Sequence, residues 1–400
     1  MDIQRRAEAA YVDLERWIDA NGWAGYDPFD LRGQDWYIRL FGMDGRLFYY
    51  VRAALHLLEL RLPQARIRKV LNVKPAINAK AVGLLASAYL TRCEKTGDEG
   101  SLQRAEQALA WLNENRSDST GSGISWGYPF HWNSRMFFPR GTPSAVVTAT
   151  VGDAWLTHYE ITSDPASLAV AEGISRFILE ELNRPVDRPD MLCFSYTPLD
   201  DFKVLNVSLF AAAFLARLGS LTANEEMLAT ANRAAAYVVS EQNPDGSFYY
   251  WGSEPLTHID HFHTGFVLRH LDTVMTLCSA DFIDAPLRKG FDFYKARLFD
   301  NGIPKNTPDS LYPIDIHSCA EALLCLAQLA PKFGGHELMM SVFMFCTERM
   351  RHEDGYYVSD LHRSMLGERR TEIPYMRWGQ AWMLLAFARA DAYFSANGRE

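Results

Sequence analysis

Apolar positions in this chain recur mostly at helical spacing, and two kinds of helical segment alternate. One kind is apolar nearly all round and rich in Ala, Gly and Ser. Its members begin near Pro75 (AINAKAVGLLASAYL), Thr142 (PSAVVTATVGDAWL), Leu205 (NVSLFAAAFLARL), Phe262 (HTGFVLRHLDTVMTL), Ile316 (HSCAEALLCLAQLA) and Met376 (RWGQAWMLLAFARA). The other kind is amphipathic and falls near 101–116, 165–183, 223–242, 281–299 and 335–351, with 46–62 or 3–20 as its sixth member. A helix with one apolar stripe covers a surface, whereas one that is apolar all round must be enclosed by others. Starts of the apolar set lie roughly 53 to 67 residues apart, about two helices with their loops.

This alternation predicts an all-α, closed (α/α)6 toroid: six apolar helices inside, six amphipathic ones outside. The spacing is too irregular for a solenoid of identical repeats, and an open helical array is the competing arrangement. The whole chain, 1–400, reads as one domain, with residues 1–45 forming an N-terminal helix and irregular loop packed on the ring; Pro28 excludes a helix interior there. Loops after the amphipathic helices, such as Gly121–Tyr128, Asp245–Trp251, Asp300–Ile303 and Asp354–Tyr357, pair a turn with a short aromatic or β-branched run. They are expected as short β-hairpin-like loops on one face. That face would collect Trp126, Trp132, Tyr196, Trp251, Tyr312, Tyr357, Tyr375 and Trp378, about half of them closing the ring ends. The remainder would stack on sugar C–H faces.

Polar groups sit at the apolar-helix starts and not in their middles. The densest stretch is His258-Ile259-Asp260-His261-Phe262-His263. Side chains at a helix start reach into the space beyond its end, where unpaired N–H groups also point. The other starts offer Asn72, Lys74, Asn78 and Lys80; His131, Asn133, Arg135 and Arg140; Tyr196, Asp200, Asp201, Lys203 and Asn206; Tyr312, Asp315, His317 and Glu321; and Glu372, Tyr375, Arg377, Trp378 and Gln380. Asp200, Asp260 and Asp315 could equally be helix caps, worth ~1 kcal/mol each. His270 and Asp272 lie deeper in their helix and read as structural. Six polar starts converging on one point imply a pocket.

Two chemistries fit such a pocket, with hydrolysis of a glycosidic bond the leading reading and elimination or epimerisation of a uronate second. Glycosidic hydrolysis needs an acid and a second carboxylate; Asp260 and Asp315 are the preferred pair, with His263 and His261 beside them. Elimination or C5 epimerisation of a uronate needs a cation or amide for the carboxylate and a His or Tyr for the α-proton. Asn133, Arg135, Arg140, Tyr196, Tyr375, His261 and His263 supply those parts. Substrate binding is assigned to Trp126, His131, Trp132, Asn133, Arg135, Arg140, Tyr196, Asp200, Asn206, Trp251, His317, Tyr375, Arg377 and Trp378. No metal is expected: His258, Asp260, His261 and His263 are acceptable ligand types, but i, i+2 spacing on a helix points side chains apart and no H-E-x-x-H type spacing occurs. No cofactor motif is present either. Cys319 beside Asp315 and His317 leaves lyase or isomerase chemistry on an apolar substrate as a further reading.

Bulk properties narrow the setting. The 400 residues are 48% hydrophobic with a formal net charge of −9 spread along the chain, which argues against nucleic acid. The first twenty residues form a charged amphipathic helix unlike a signal peptide, and no run approaches an uninterrupted membrane span of ~18 apolar residues. Cys93, Cys193, Cys278, Cys319, Cys325 and Cys346 are scattered without a C-x-x-C pair, as in reduced proteins, so a cytoplasmic location is expected.

Trp126-Gly127-Tyr128-Pro129-Phe130-His131-Trp132, Phe137-Phe138-Pro139-Arg140-Gly141-Thr142-Pro143 and Asp260-His261-Phe262-His263-Thr264-Gly265 resemble segments of proteins from bacterial exopolysaccharide and capsule gene clusters. The chain from about residue 20 onward is similar to the wider six-hairpin glycosidase and polysaccharide-lyase toroids, a fold that does not by itself choose the reaction. The resemblance implies an oligo- or polysaccharide substrate and polysaccharide synthesis machinery as a partner. It also leaves room for a non-catalytic glycan-binding toroid.

Overall fold

The computed structural model describes residues 3–43, 50, 51, 53, 55, 62–118, 121–253, 256–364 and 367–397. Its inner helices are Ala79–Thr96, Ala145–Thr162, Leu205–Thr222, His261–Cys278, Ile316–Phe333 and Ala381–Asn397. Each packs against the next, and the last packs against the first, so the ring is closed. The outer helices Glu99–Glu114, Pro165–Arg176, Glu225–Ser240, Asp284–Arg297 and His336–Phe345 each cover the inner helix that precedes them. The sixth outer helix is Ile3–Asn21, which lies on Ala381–Asn397 and buries Ala7, Ala10, Tyr11, Leu14 and Ile18 along one stripe. The two extremes of the chain therefore make one hairpin of an (α/α)6 toroid. The alternative sixth helix, 46–62, falls largely outside the described residues.

Small residues let the inner helices approach. A Cβ on Gly152 would stand 2.4 Å from the Phe214 ring, and one on Gly265 would stand 2.6 Å from Cγ of Glu321. Leu205–Thr222 has the length and hydropathy of a membrane span, yet 78% of it is buried inside the protein, as an inner helix must be.

The ring's two faces differ because its two kinds of connection differ. The first three inner helices pass to outer ones through a left-handed residue and an Asx cap: Gly97-Asp98, Ser163-Asp164 and Ala223-Asn224. Two residues suffice there. Outer-to-inner connections are long and cover the face that holds the inner-helix N-termini. They form small antiparallel pairs, Trp132–Asn133 with Phe137–Phe138, Val186–Asp187 with Leu192–Cys193, and Phe299–Asp300 with Ile303–Pro304. A longer hairpin, Asp360–Ser364 with Gly367–Thr371, adds Ile314–Asp315 as a third strand. The pattern of apolar positions does not reveal that hairpin, because Leu361 is its only buried described residue and Arg363, Arg369 and Arg370 are exposed.

Candidate functional site

A cavity of about 380 Å³ opens at the centre of the looped face, and every inner-helix start contributes to it. Lys80 comes from the first, Val146 from the second, Asn206 from the third, Asp260, Phe262, His263 and Phe266 from the fourth, His317 from the fifth, and Arg377 and Trp378 from the sixth. Four of these helices are capped by the residue just ahead, Asn78, Ser144, Asp260 and Asp315. The sixth opens with a π-helical turn, Met376–Gln380, which carries Arg377 and Trp378. Gln380 anchors that turn through paired bonds of 2.9 and 2.8 Å with the Tyr357 backbone.

Asp260 is both a cap and the centre of a polar cluster. One oxygen accepts from the His263 backbone N–H at 2.9 Å; the other meets Nδ1 of His263 at 2.6 Å and Nε2 of His258 at 2.9 Å. Burial pushes its carboxyl up, but the His263 charge and the bonds from both imidazoles outweigh burial and hold it well below the usual carboxylate range. Donating to Asp260 raises His258 above the ordinary histidine value. With Nδ1 of His263 engaged, its Nε2 is the nitrogen left for a ligand. Tyr250 and Phe262 hold the His263 ring, with centroids 4.3 and 4.2 Å away.

The floor is built differently. His317 is 1% exposed, and neither ring nitrogen has a hydrogen-bond partner among the described residues. Its ring sits among Trp378, Phe262 and Trp382, at 4.4, 4.8 and 5.0 Å. Burial, helped by the charges of Lys80 and Arg377, drives it well below the ordinary histidine value, so it is neutral. Asn206 Oδ1 is likewise buried without a partner. Lys80 stands over the rings of Trp382, Phe210 and Phe266, at 5.1, 5.6 and 5.8 Å.

The rim depends on the loop Asp27–Asp30. Arg377 binds Asp27, with Nη2 to Oδ1 at 2.8 Å, and Arg68 binds Asp30 at 2.8 Å and the Asp27 carbonyl at 2.9 Å. Breaking one such buried pair costs about 3–5 kcal/mol. The clamp sets Phe29 edge-on to Trp378, 5.9 Å away, in the cavity wall.

Of the residues chosen from sequence, Asp260, His263, Trp132, Tyr196, Asn206, His317, Arg377 and Trp378 line this cavity. The others stand elsewhere. His261 is fully buried behind the wall, against Tyr294 and Phe299, with its pKa lowered to about 3 by burial. Trp126 is core, its indole N–H bonded to the Leu112 carbonyl at 2.8 Å. Asp200 closes its own loop through the backbone N–H groups of Tyr196, Thr197 and Phe202. His131 pairs with Asp35 at 2.9 Å, Arg140 borders a separate cavity, Asn133 is exposed, and Arg135 lies 3.9 Å over Trp251. Asp315 and Tyr375 border a neighbouring cavity of about 870 Å³.

Asp315 is therefore not across the central cavity from Asp260. Its oxygens accept from Trp378 Nε1 at 3.0 and 3.1 Å and from the His317 N–H at 2.9 Å, and burial raises its carboxyl to about 7. Lys80, Tyr128, Phe130, Tyr250, His258, Phe262, Phe266, Phe29 and Asn306 line the cavity without having been chosen. Lys80 was named among the polar groups at the first helix start but not chosen as a site residue. Asn306 had no sequence signal. Among the described residues no group of three or more His, Cys, Asp or Glu side chains is arranged to hold a metal.

No family model and no curated protein matches the sequence. Solved structures share its fold. A cellobiose 2-epimerase from Spirochaeta thermophila superposes with a TM-score of 0.65 at 13% identity, over 82% of this chain and 89% of that one. A GH76 α-mannanase from Bacteroides thetaiotaomicron gives 0.60 at 12%, over 80% and 88%. A D-mannose isomerase gives 0.59 at 11%, over 79% and 87%.

Proposed function

We propose that this chain is a carbohydrate-active enzyme that moves a proton at a sugar carbon, as an epimerase, isomerase or eliminating enzyme does. One observation carries the reading. A carboxylate-oriented imidazole, His263, and a neutral, unpartnered imidazole, His317, face the same cavity and contact the same Phe262 ring.

Asp260 fixes the tautomer of His263, so Nε2 presents a lone pair for the proton to be removed and stabilises the imidazolium that forms. Neutral His317 offers one N–H and one lone pair, suited to returning a proton or holding a hydroxyl whose charge changes. Asn206 Oδ1 accepts a sugar hydroxyl. Trp378, Trp132 and Phe29 supply ring faces for the sugar's C–H surface.

Hydrolysis by paired acids needs two carboxyl groups flanking one bond. Here Asp260 is saturated by imidazoles while Asp315 borders another cavity, which favours proton transfer over hydrolysis. The structural neighbours include two named for epimerisation or isomerisation as well as a mannanase, so the fold accommodates either chemistry. On this reading the substrate is an oligo- or polysaccharide of the exopolysaccharide or capsule type.

The test is incubation of the protein with a panel of neutral and uronate oligosaccharides in D2O. Carbon-bound deuterium, read by NMR, is expected with the wild type and lost in His263→Gln. New reducing ends without deuterium would overturn the reading in favour of hydrolysis; binding without either would leave a glycan-binding module.

A further inference from the structure

Lys80 is 3% exposed and lines the central cavity, yet its ammonium has no ion pair or hydrogen bond among the described residues. The acids whose fields reach it are committed elsewhere. Glu321 is held by Arg269 at 2.6 and 2.9 Å, and Asp27 by Arg377. Its immediate surroundings are three aromatic rings. A cation taken out of water without a counter-ion is costly, so such a group either gives up its proton or awaits an anion. Burial and the nearby Arg377 charge lower its pKa well below the ordinary lysine value, against the opposing pull of Glu321 and Asp27 and with a further push from Arg269.

We propose that Lys80 forms a carboxylate subsite in the floor of this cavity, and that the sugar bound there is a uronate. The proposal rests on the carbohydrate reading above and adds the class of sugar. A carboxylate beside Lys80 completes an ion pair that the fold leaves open, and the adjacent Arg377 adds positive potential. It also fits the chemistry: once neutralised, a carboxylate makes the neighbouring C5 proton easier to remove. The cavity walls are continuous with a basic cleft. Phe29 and Trp378 border both the central cavity and the 870 Å³ neighbour, whose lining includes Arg32 and the exposed Arg363, Arg369 and Arg370, which outnumber its carboxylates Asp315, Asp360 and Glu372. Further acidic residues of the same glycan would lie along that hairpin.

Two disaccharides that differ by one group test the subsite: cellobiouronic acid, with a C6 carboxylate, and cellobiose, without it. Calorimetry with the full chain is expected to show the acid binding at least roughly tenfold tighter, as a charge-assisted contact should. Lys80→Met and Lys80→Gln should both abolish the preference while binding cellobiose within about threefold of wild type. Equal or weaker binding of the acid, no binding of it, or a preference that survives both substitutions overturns the subsite. The two readings fail separately. Acid preference that depends on Lys80 without deuterium exchange would remove only the catalytic proposal, and exchange into a neutral sugar alone would remove only this one.

Discussion

The same six inner helices build two cavities, one at each end of the ring, and the larger is not the candidate site. At the C-terminal end the cavity measures about 790 Å³, twice the central one at the N-terminal end. Its charges are paired or, like Arg389 and Glu94, exposed. Arg217 binds Asp153 at 3.0 Å and Glu160 at 2.6 Å, and Lys332 binds Asp272 at 2.6 Å. At the N-terminal end, both nitrogens of His317 and Asn206 Oδ1 have no hydrogen-bond partner among the described residues, and Lys80 meets aromatic rings but no counter-ion. Buried polar groups without a protein partner cost stability, and a fold keeps such costs where a ligand removes them. Helix polarity agrees: N-terminal ends favour anions and C-terminal ends favour the cations found there. Unmet polar valence, more than volume, distinguishes the two ends.

The largest expected break in this contrast is Asp260→Asn. Asn still caps the helix, but it loses the buried charge that both imidazoles stabilise, so the melting temperature should fall modestly, while loss of the charge that orients His263 should lower exchange turnover about 10²–10⁴-fold. Arg217→Met at the other end should change stability by no more than about 1 kcal/mol, after allowance for partial exposure, and leave exchange intact. Measured turnover that falls equally in both variants would erase the distinction.

Acid titration sharpens it next. His261 behind the wall and His270 at the far end are both lowered to about 3 by burial, and His317 is lowered too. Unfolding exposes them to their ordinary value of ~6.5, so below that pH the unfolded chain takes up protons that the folded one refuses. Stability should therefore fall as pH drops from ~6.5 toward 3, by about 1.4 kcal/mol per pH unit for each histidine. Urea melts of His270→Phe should show a shallower slope with exchange unchanged. His317→Phe should flatten the slope, abolish exchange and, by removing an unpartnered buried imidazole, raise stability at neutral pH by about 1 kcal/mol. A destabilised His317→Phe would mean that this imidazole belongs to the core and not to the site.

How much was legible in the sequence varies with the range of the contact. Inner and outer helices were readable because their periodicity is local: Leu205–Thr222 is apolar on all sides and Glu225–Ser240 on one. The hairpin at 360–371 was not, since an exposed, arginine-rich pair lacks the alternation that marks a half-buried strand. Within His258–His263, the sequence could not separate three histidines. His263 lies three residues beyond the cap and returns to it, His258 folds back from the loop, and His261 turns into the core. The preferred acid pair was drawn from two successive helix starts, but the tertiary fold gives Asp315 to Trp378, 63 positions away, and turns it toward a different cavity.

What the chain's pattern determined by itself was the number, order and character of the helices, and hence a ring whose polar starts converge. Those properties follow from the apolar period and the caps, which act within a few residues. Only the tertiary structure decided which end carries unmet polar groups, which histidine lost its proton and which lysine lost its counter-ion. Each is a matter of desolvation and distance between side chains far apart in sequence, set when the first and last helices close the ring.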